Sequence, residues 1–244
     1  YKALGQRLEQ IGASGAQVLG LADTHASNEE LHLFKRLLAD GFGSDKVYFP
    51  HRPGRQQEQP PRYLTDTFIF TLITTDKSPN TAGALKAGLS GDEDDKRLKA
   101  ALKTPPKVVL LLGTPFANDL AVREAVAKAE LIVAIATHHS AWVELADVVL
   151  PGHTVAEREG SYLNKDARLQ RIQPAIEAPE GTQPQLQILG ALLELRGKGQ
   201  PHDSARAVFD AMAAQDGPFK GLSWDRIGAL GLSLAGAQPA QASA

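Results

Sequence analysis

Residues 107–136 read KVVLLLGTPFANDLAVREAVAKAELIVAIA. The stretch opens with VVLLLG at 108–113, a short continuous apolar run of the kind that forms a strand buried on both faces. Over 119–129 the apolar positions fall at helical spacing instead, at Leu120, Val122, Ala125 and Val126, and Glu124 and Lys128 stand one turn apart. A second apolar run, LIVAIA at 131–136, follows. Strand, helix and strand in that order make a βαβ unit with parallel strands and a right-handed crossover. The loop at 113–118 leaves the carboxyl end of its first strand, where open α/β sheets bind ligands.

Working outward, the pattern recurs upstream. QVLGLA at 17–22 is a second buried-strand candidate, and ASNEELHLFKRLLADGFG after it predicts a helix. Asn28 or Ser27 can cap that helix, and Glu29 and Glu30 stand in the first turn, where the helix dipole favours them. Leu31, Phe34, Leu37 and Leu38 form its apolar stripe, Gly41 and Gly43 end it, and 45–49 is the next strand. The strands near Val18, Val108 and Val133 are therefore expected in one sheet, mutually parallel, with Val109, Leu111, Ile132 and Ala134 buried. Residues 1–11 predict a short amphipathic helix with Leu4, Leu8 and Ile11 on one face. HRPGRQQEQPPR at 51–62 reads as a loop, FIFTLI at 68–73 as another strand, and 92–103 as a helix opened by a solvated acidic run.

Beyond Gln170 the pattern changes. Residues 174–184 read as an irregular linker, 185–197 as an apolar-striped helix, 204–214 as a helix capped by Asp203 or Ser204, and 223–230 as a short last helix capped by Ser223, before a small, polar, frayed end. The fold class is thus α/β, a doubly wound, mainly parallel sheet. A Rossmann-like domain covers 1–173, with a loop insertion at 50–66, and a linker with a C-terminal helical extension covers 174–244.

Composition narrows the function classes. A net charge of -2 gives no general attraction for nucleic acid or anionic lipid. No apolar run approaches the roughly 20 residues that span a bilayer. The absence of cysteine excludes disulfides, zinc–thiolate sites, iron–sulfur ligation and cysteine nucleophiles within these 244 residues. The chain starts at Tyr1 and its only methionine is Met212, so it is expected to be a processed product or a piece of a longer protein, with the second preferred.

Longer segments carry a family resemblance. ELADVVLPGHTVAEREGSYLNKDARLQR resembles the signature ADVVLP…AE..G...N.EGR.Q of the molybdopterin oxidoreductase superfamily, matched here at 146–151, Ala156, Glu157, Gly160, Asn164, Arg168 and Gln170. Asp166 and Ala167 stand where that pattern usually has Glu and Gly. ASNEELHLFKRLLADGFGSDKV resembles the same family's sNEE helix, and GTPFAND resembles its GxNP loop. DKSPNTAGALKAGL is similar to a segment of the large peripheral-arm subunit of bacterial respiratory complex I. Active members hold a molybdenum cofactor between two α/β domains, with the metal on Cys, selenocysteine, Ser or Asp. This chain has no Cys, lacks the Asn of the GxNP loop, and has no room between Phe49 and Phe68 for a second α/β domain.

The resemblance implies a non-catalytic scaffold region of the NADH-quinone oxidoreductase large subunit. The iron–sulfur clusters would lie outside this stretch, the partners would be other peripheral-arm subunits, and the place would be the cytoplasmic face of the inner membrane without insertion. The competing readings are a fragment of an active molybdopterin enzyme such as formate dehydrogenase, and an unrelated nucleotide-binding α/β module. No residue is assigned a catalytic or metal-binding role. Vestigial cofactor-binding candidates are Thr24, Asn28, Gly113, Thr114, Asn118 and His138.

Read from the residues alone, 113–118 is first a plain βα loop capped by Asn118 or Asp119, and second a phosphate cradle. His138 and His139 are adjacent, so their side chains diverge and chelate one metal poorly; with His153 and His25 they read as loop histidines. Glu157, Glu159, Asp166 and Arg168 read as hydrogen-bonding groups that fix the chain at 160–164, with Arg168 paired to a carboxylate. No triad order or paired-carboxylate spacing stands out among them.

Overall fold

The computed structural model describes residues 1–50, 78–89, 94–199, 204–215 and 217–235. The expected loop at 51–62, the expected strand at 68–73, the cap candidate Asp203 and the frayed end lie outside them.

Five strands form one parallel sheet: β1 (Val18–Ala22), β2 (Val47–Tyr48), β3 (Val108–Leu112), β4 (Leu131–Ala136) and β5 (Val148–Pro151), in the order β2-β1-β3-β4-β5. Val18 pairs with Val108 and Val108 with Leu131, so the strands near Val18, Val108 and Val133 do run side by side and parallel. The edge strand β5 adds to the expected elements. Its residues alternate between half-buried and exposed, and a run half open to solvent lacks the contrast that marks a buried strand.

Every residue of β1, β3 and β4 is buried, because helices cover both faces of the sheet. Val18, Leu110, Leu112 and Val133 face α2 (Asn28–Arg36), α7 (Gln185–Leu195) and α8 (Ala205–Ala213). On the other face, Leu19, Leu21, Val109, Leu111, Ile132 and Ala134 meet Val122 and Val126 of α5 (Leu120–Val126) and Trp142 of α6 (Ala141–Leu145). The four residues expected in the core are buried, at 3% exposure or less. The remaining helices are α1 (Lys2–Ile11), which buries Leu4, Leu8 and Ile11, then α3 (Thr81–Lys86) and α4 (Asp94–Ala101).

Ser27, not Asn28, caps α2. Its Oγ accepts from the Glu30 N–H while the Glu30 carboxylate accepts from the Ser27 N–H, a reciprocal capping box. Asp119 caps α5 by accepting from the Val122 N–H. The helix α5 stops at Val126, three residues short of the expected end.

A second, three-stranded antiparallel sheet follows: β6 (Gly160–Leu163), β7 (Arg168–Ile172) and β8 (Leu232–Ser233), in that order. The short last helix expected at 223–230 is corrected here. Only one 3₁₀ turn forms, Trp224–Arg226, and the chain then crosses to β8. Gly231 at φ +75 makes the crossing, and a Cβ there would lie 2.6 Å from the Leu169 carbonyl oxygen, closer than any side chain tolerates. The helices of the C-terminal extension pack on the α/β unit, since α7 and α8 share the apolar cluster of α2 and β1.

Candidate functional site at the sheet's switch point

From β1 the chain crosses to β2 on one side, and from β3 it crosses to β4 on the other. Loops that leave neighbouring parallel strands in opposite directions open a crevice at the carboxyl ends, the switch point of an open α/β sheet. A cavity of about 590 Å³ occupies it, a size suited to a small molecule. Asp23 and His25 after β1, Gly113 and Thr114 after β3, and Thr137 and His138 after β4 line it, with Arg158 and Tyr162 opposite.

Asp23 ties the two loops together. One carboxylate oxygen accepts from the His25 N–H at 2.9 Å and pairs with the His25 Nδ1 at 2.6 Å. The other accepts from the Thr114 N–H at 3.3 Å and from the Thr114 hydroxyl at 3.1 Å. Burial works against the charge on Asp23, but the hydrogen bonds from His25 and Thr114 outweigh it and hold the carboxyl below its ordinary value. The bond to Asp23 in turn raises the His25 imidazole above its ordinary value, against burial and against the Arg158 charge. Gly113 is required by this approach: its φ is +77, and a Cβ there would stand 2.7 Å from the Asp23 Cβ. The Trp142 indole N–H, donating to the Pro115 carbonyl at 2.6 Å, pins the same loop from behind.

Behind the cavity lies a buried polar seam. The Arg158 guanidinium donates to Glu30 at 2.8 Å, to the His25 carbonyl at 2.9 Å and to the Tyr162 hydroxyl at 3.1 Å. Tyr162 donates to the same His25 carbonyl at 2.7 Å. Glu29 accepts from the Ser161 hydroxyl at 2.5 Å and from the Ser161 N–H at 2.9 Å, and Asn28 Nδ2 donates to the Ser161 oxygen at 3.0 Å. Asn80 accepts from the Leu163 N–H at 2.9 Å and donates to the Ala26 carbonyl. The N–H groups of Ser161 and Leu163 belong to the open edge of β6, so Glu29 and Asn80 take the place of a neighbouring strand there.

Burial pushes the Glu29 carboxyl up to about 7, with the Ser161 hydrogen bonds acting against it. It also lifts Glu30 above its ordinary value against the pull of Arg158. Burial disfavours the charge on Arg158 as well, but Glu30 overcomes this and keeps the guanidinium firmly protonated. The Tyr162 phenol is pushed up to about 12, chiefly by burial.

The sequence candidates divide between these two places. Gly113, Thr114 and His138 line the cavity. Asn28 is fully buried in the seam, outside the cavity lining, and among the described residues its Oδ1 has no hydrogen-bond partner. Thr24 is fully buried, and among the described residues its hydroxyl has no hydrogen-bond partner. Asn118 and His139 are exposed and stand apart from the cavity lining. His153 lines a separate cavity of about 150 Å³ beside Arg158. Among the described residues no group of three or more His, Asp or Glu stands close enough to hold a metal.

Glu157 closes a capping box on Thr154, and Glu159 accepts from the Ala205 N–H at the start of α8. The expected carboxylate partner of Arg168 is corrected: its guanidinium donates to the Leu230 carbonyl oxygen, because the return of the chain through β8 brings that carbonyl alongside. Sequence reading misses Asp23, Asn80, Arg158, Ser161 and Tyr162. The available signal is their position within or beside the motifs, but no spacing rule links residues that meet only after folding.

The profile of the molybdopterin oxidoreductase family matches residues 65–195. The chain is similar to the F420-dependent formate dehydrogenase 2 subunit alpha of Methanococcus maripaludis, 40% identical over 91 residues that make up 36% of this chain and 14% of that protein. It is similar to the assimilatory nitrate reductase of Haloferax mediterranei, 34% identical over 137 residues, 52% of this chain and 19% of that protein. It is also similar to the NADH-ubiquinone oxidoreductase 75 kDa subunit of Reclinomonas americana, 28% identical over 135 residues, 55% of this chain and 18% of that protein. The chain therefore matches less than a fifth of the length of each of these relatives.

Proposed function

Since the chain belongs to the molybdopterin oxidoreductase family, we propose that it uses this fold as a non-catalytic scaffold within the large peripheral-arm subunit of NADH-quinone oxidoreductase, respiratory complex I. The observation that carries this reading is the seam. Of the motif residues of α2, Glu29 spends its carboxylate on Ser161 at the edge of β6, Glu30 spends its own on Arg158 and the Ser27 cap, and Asn28 spends its amide N–H on Ser161. They hold two sheets together and leave little for a ligand. The electron-carrying clusters would sit in other parts of that subunit, its partners would be neighbouring peripheral-arm subunits, and its place would be the cytoplasmic face of the inner membrane. Among the described residues no helix is long and apolar enough to cross a membrane.

The residues at the switch point do not fit a phosphorylated pterin cofactor. The Thr114 N–H and hydroxyl, the donors a phosphate would use, already serve Asp23, and a second negative charge beside that carboxylate is repelled. The size of the cavity and the likeness to a formate dehydrogenase favour the competing reading, a catalytic molybdopterin enzyme. Metal analysis of the purified chain, with calorimetric titration of a guanine dinucleotide, separates the two. The scaffold reading expects no molybdenum and no saturable heat; stoichiometric metal or micromolar binding would overturn it. In the native host, the protein is expected to comigrate with NADH-oxidising activity on native gels, and its separation from that activity would remove the respiratory assignment.

A further inference from the structure

Four donors converge on Asp23. Two come from the loop after β1, the His25 N–H and its ring nitrogen, and two from the loop after β3, the Thr114 N–H and hydroxyl. These are the two loops that diverge at the switch point, and all three residues line the 590 Å³ cavity. A carboxylate held by backbone N–H groups, a hydroxyl and an imidazole has the surroundings of a bound anion. Here the anion is supplied by the chain itself. We propose that Asp23 is an internal ligand, whose carboxylate occupies an anion seat built from His25 and Thr114 and so keeps phosphate-bearing molecules out of the cavity.

The physics of exclusion is simple. A tethered carboxylate competes at the high effective concentration of an intramolecular group, so a free anion at ordinary concentration does not displace it. An anion that stayed in the cavity without displacing it would face a like charge a few ångströms away. The terminal nitrogens of Arg158 already donate to Glu30 and to two oxygen acceptors, so Arg158 offers such a ligand less than a free guanidinium would. Gly113 belongs to the same device, since any side chain there would push Asp23 off its seat. Removing the carboxylate leaves the donors in place, opening onto the cavity.

The inference rests on the scaffold reading, but its test is separate, because it uses inorganic phosphate and altered chains instead of a cofactor. Calorimetric titration of phosphate should show no saturable binding to the unaltered protein. Asp23→Ala should gain affinity by about tenfold or more, and Thr114→Ala added to it should abolish the gain. Binding to the unaltered chain as tight as to Asp23→Ala, a folded Asp23→Ala with no gain, or a gain indifferent to Thr114→Ala would each overturn the proposal. If Asp23→Ala does not melt cooperatively, Asp23→Ser, too short to fill the seat, takes its place under the same criteria. Cofactor binding to the unaltered chain would instead overturn the scaffold reading.

Discussion

Ala167 stands in the left-handed region, at φ +56, in the turn between β6 and β7, where the family signature usually has glycine. A Cβ in that conformation costs about 1–2 kcal/mol, partly offset by the freedom a glycine loses on folding. Ala167→Gly should therefore raise stability by up to roughly 1 kcal/mol, read as a higher denaturant midpoint at constant slope; a lower midpoint would show that the packing of the Ala167 methyl group matters more. At Glu29 the prediction concerns pH. Its carboxyl titrates near 4.5 in an unfolded chain and at about 7 when buried, so the folded state binds the proton more tightly. Its contribution to stability is complete below the lower value and is lost as pH rises through the higher one, by roughly 3 kcal/mol in all. The raised His25 adds a fall of the same sign at and above its own ordinary value. Glu29→Gln should remove only the first fall, and two parallel stability–pH profiles would refute the assignment.

At the scale of elements, the informative contacts are those between α2, α3 and β6. Gly83 of α3 faces both asparagines of the seam, and a Cβ there would lie 2.1 Å from Asn28 Oδ1 and 2.1 Å from Asn80 Oδ1. Gly83→Ala should cost about 1–3 kcal/mol for overpacking, and about 1–3 kcal/mol more for each buried polar group it unpairs. A melting temperature within a degree of wild type would mean that α3 moves aside freely. In the sheet, Leu111 of β3 is fully buried between α5 and the flanking strands. Leu111→Ala should cost about 2–5 kcal/mol, as cavity-forming leucine truncations do, and a midpoint unchanged at constant slope would contradict its place in the core.

For the whole molecule, the question is whether 174–244 is an appendage. α7 and α8 bury Leu186, Ile188, Leu189, Leu192, Val208 and Phe209 in the cluster that includes Leu31, Phe34 and Leu38. Cutting after Gln173 would expose that side of α2 and remove β8 from the second sheet. A chain of 1–173 should therefore lack a cooperative melt, and a sharp transition by circular dichroism would show that the α/β unit stands alone.

What can be read in the chain is what periodicity encodes. The runs at 108–112 and 131–136, the helix between them and the stripe of α2 are local patterns, and each forms the element that it predicts. The cap of α2 is legible to within one residue, since Ser27 and Glu30 stand three apart, as a capping box requires. Gly113, Thr114 and His138 follow strands that are legible as apolar runs, so their place at the carboxyl ends of those strands can be read from the chain. The tertiary structure alone decides the rest. Glu30 meets Arg158 across 128 positions and Glu29 meets Ser161 across 132, and no local spacing encodes such pairs. In the sequence Asp23 is one more loop residue. It acquires its role only because two strands distant in sequence, β1 and β3, pair side by side and set the Thr114 donors against its carboxylate. Local free energies choose elements, whereas partners for buried charge are chosen by which surfaces the packed core forces together.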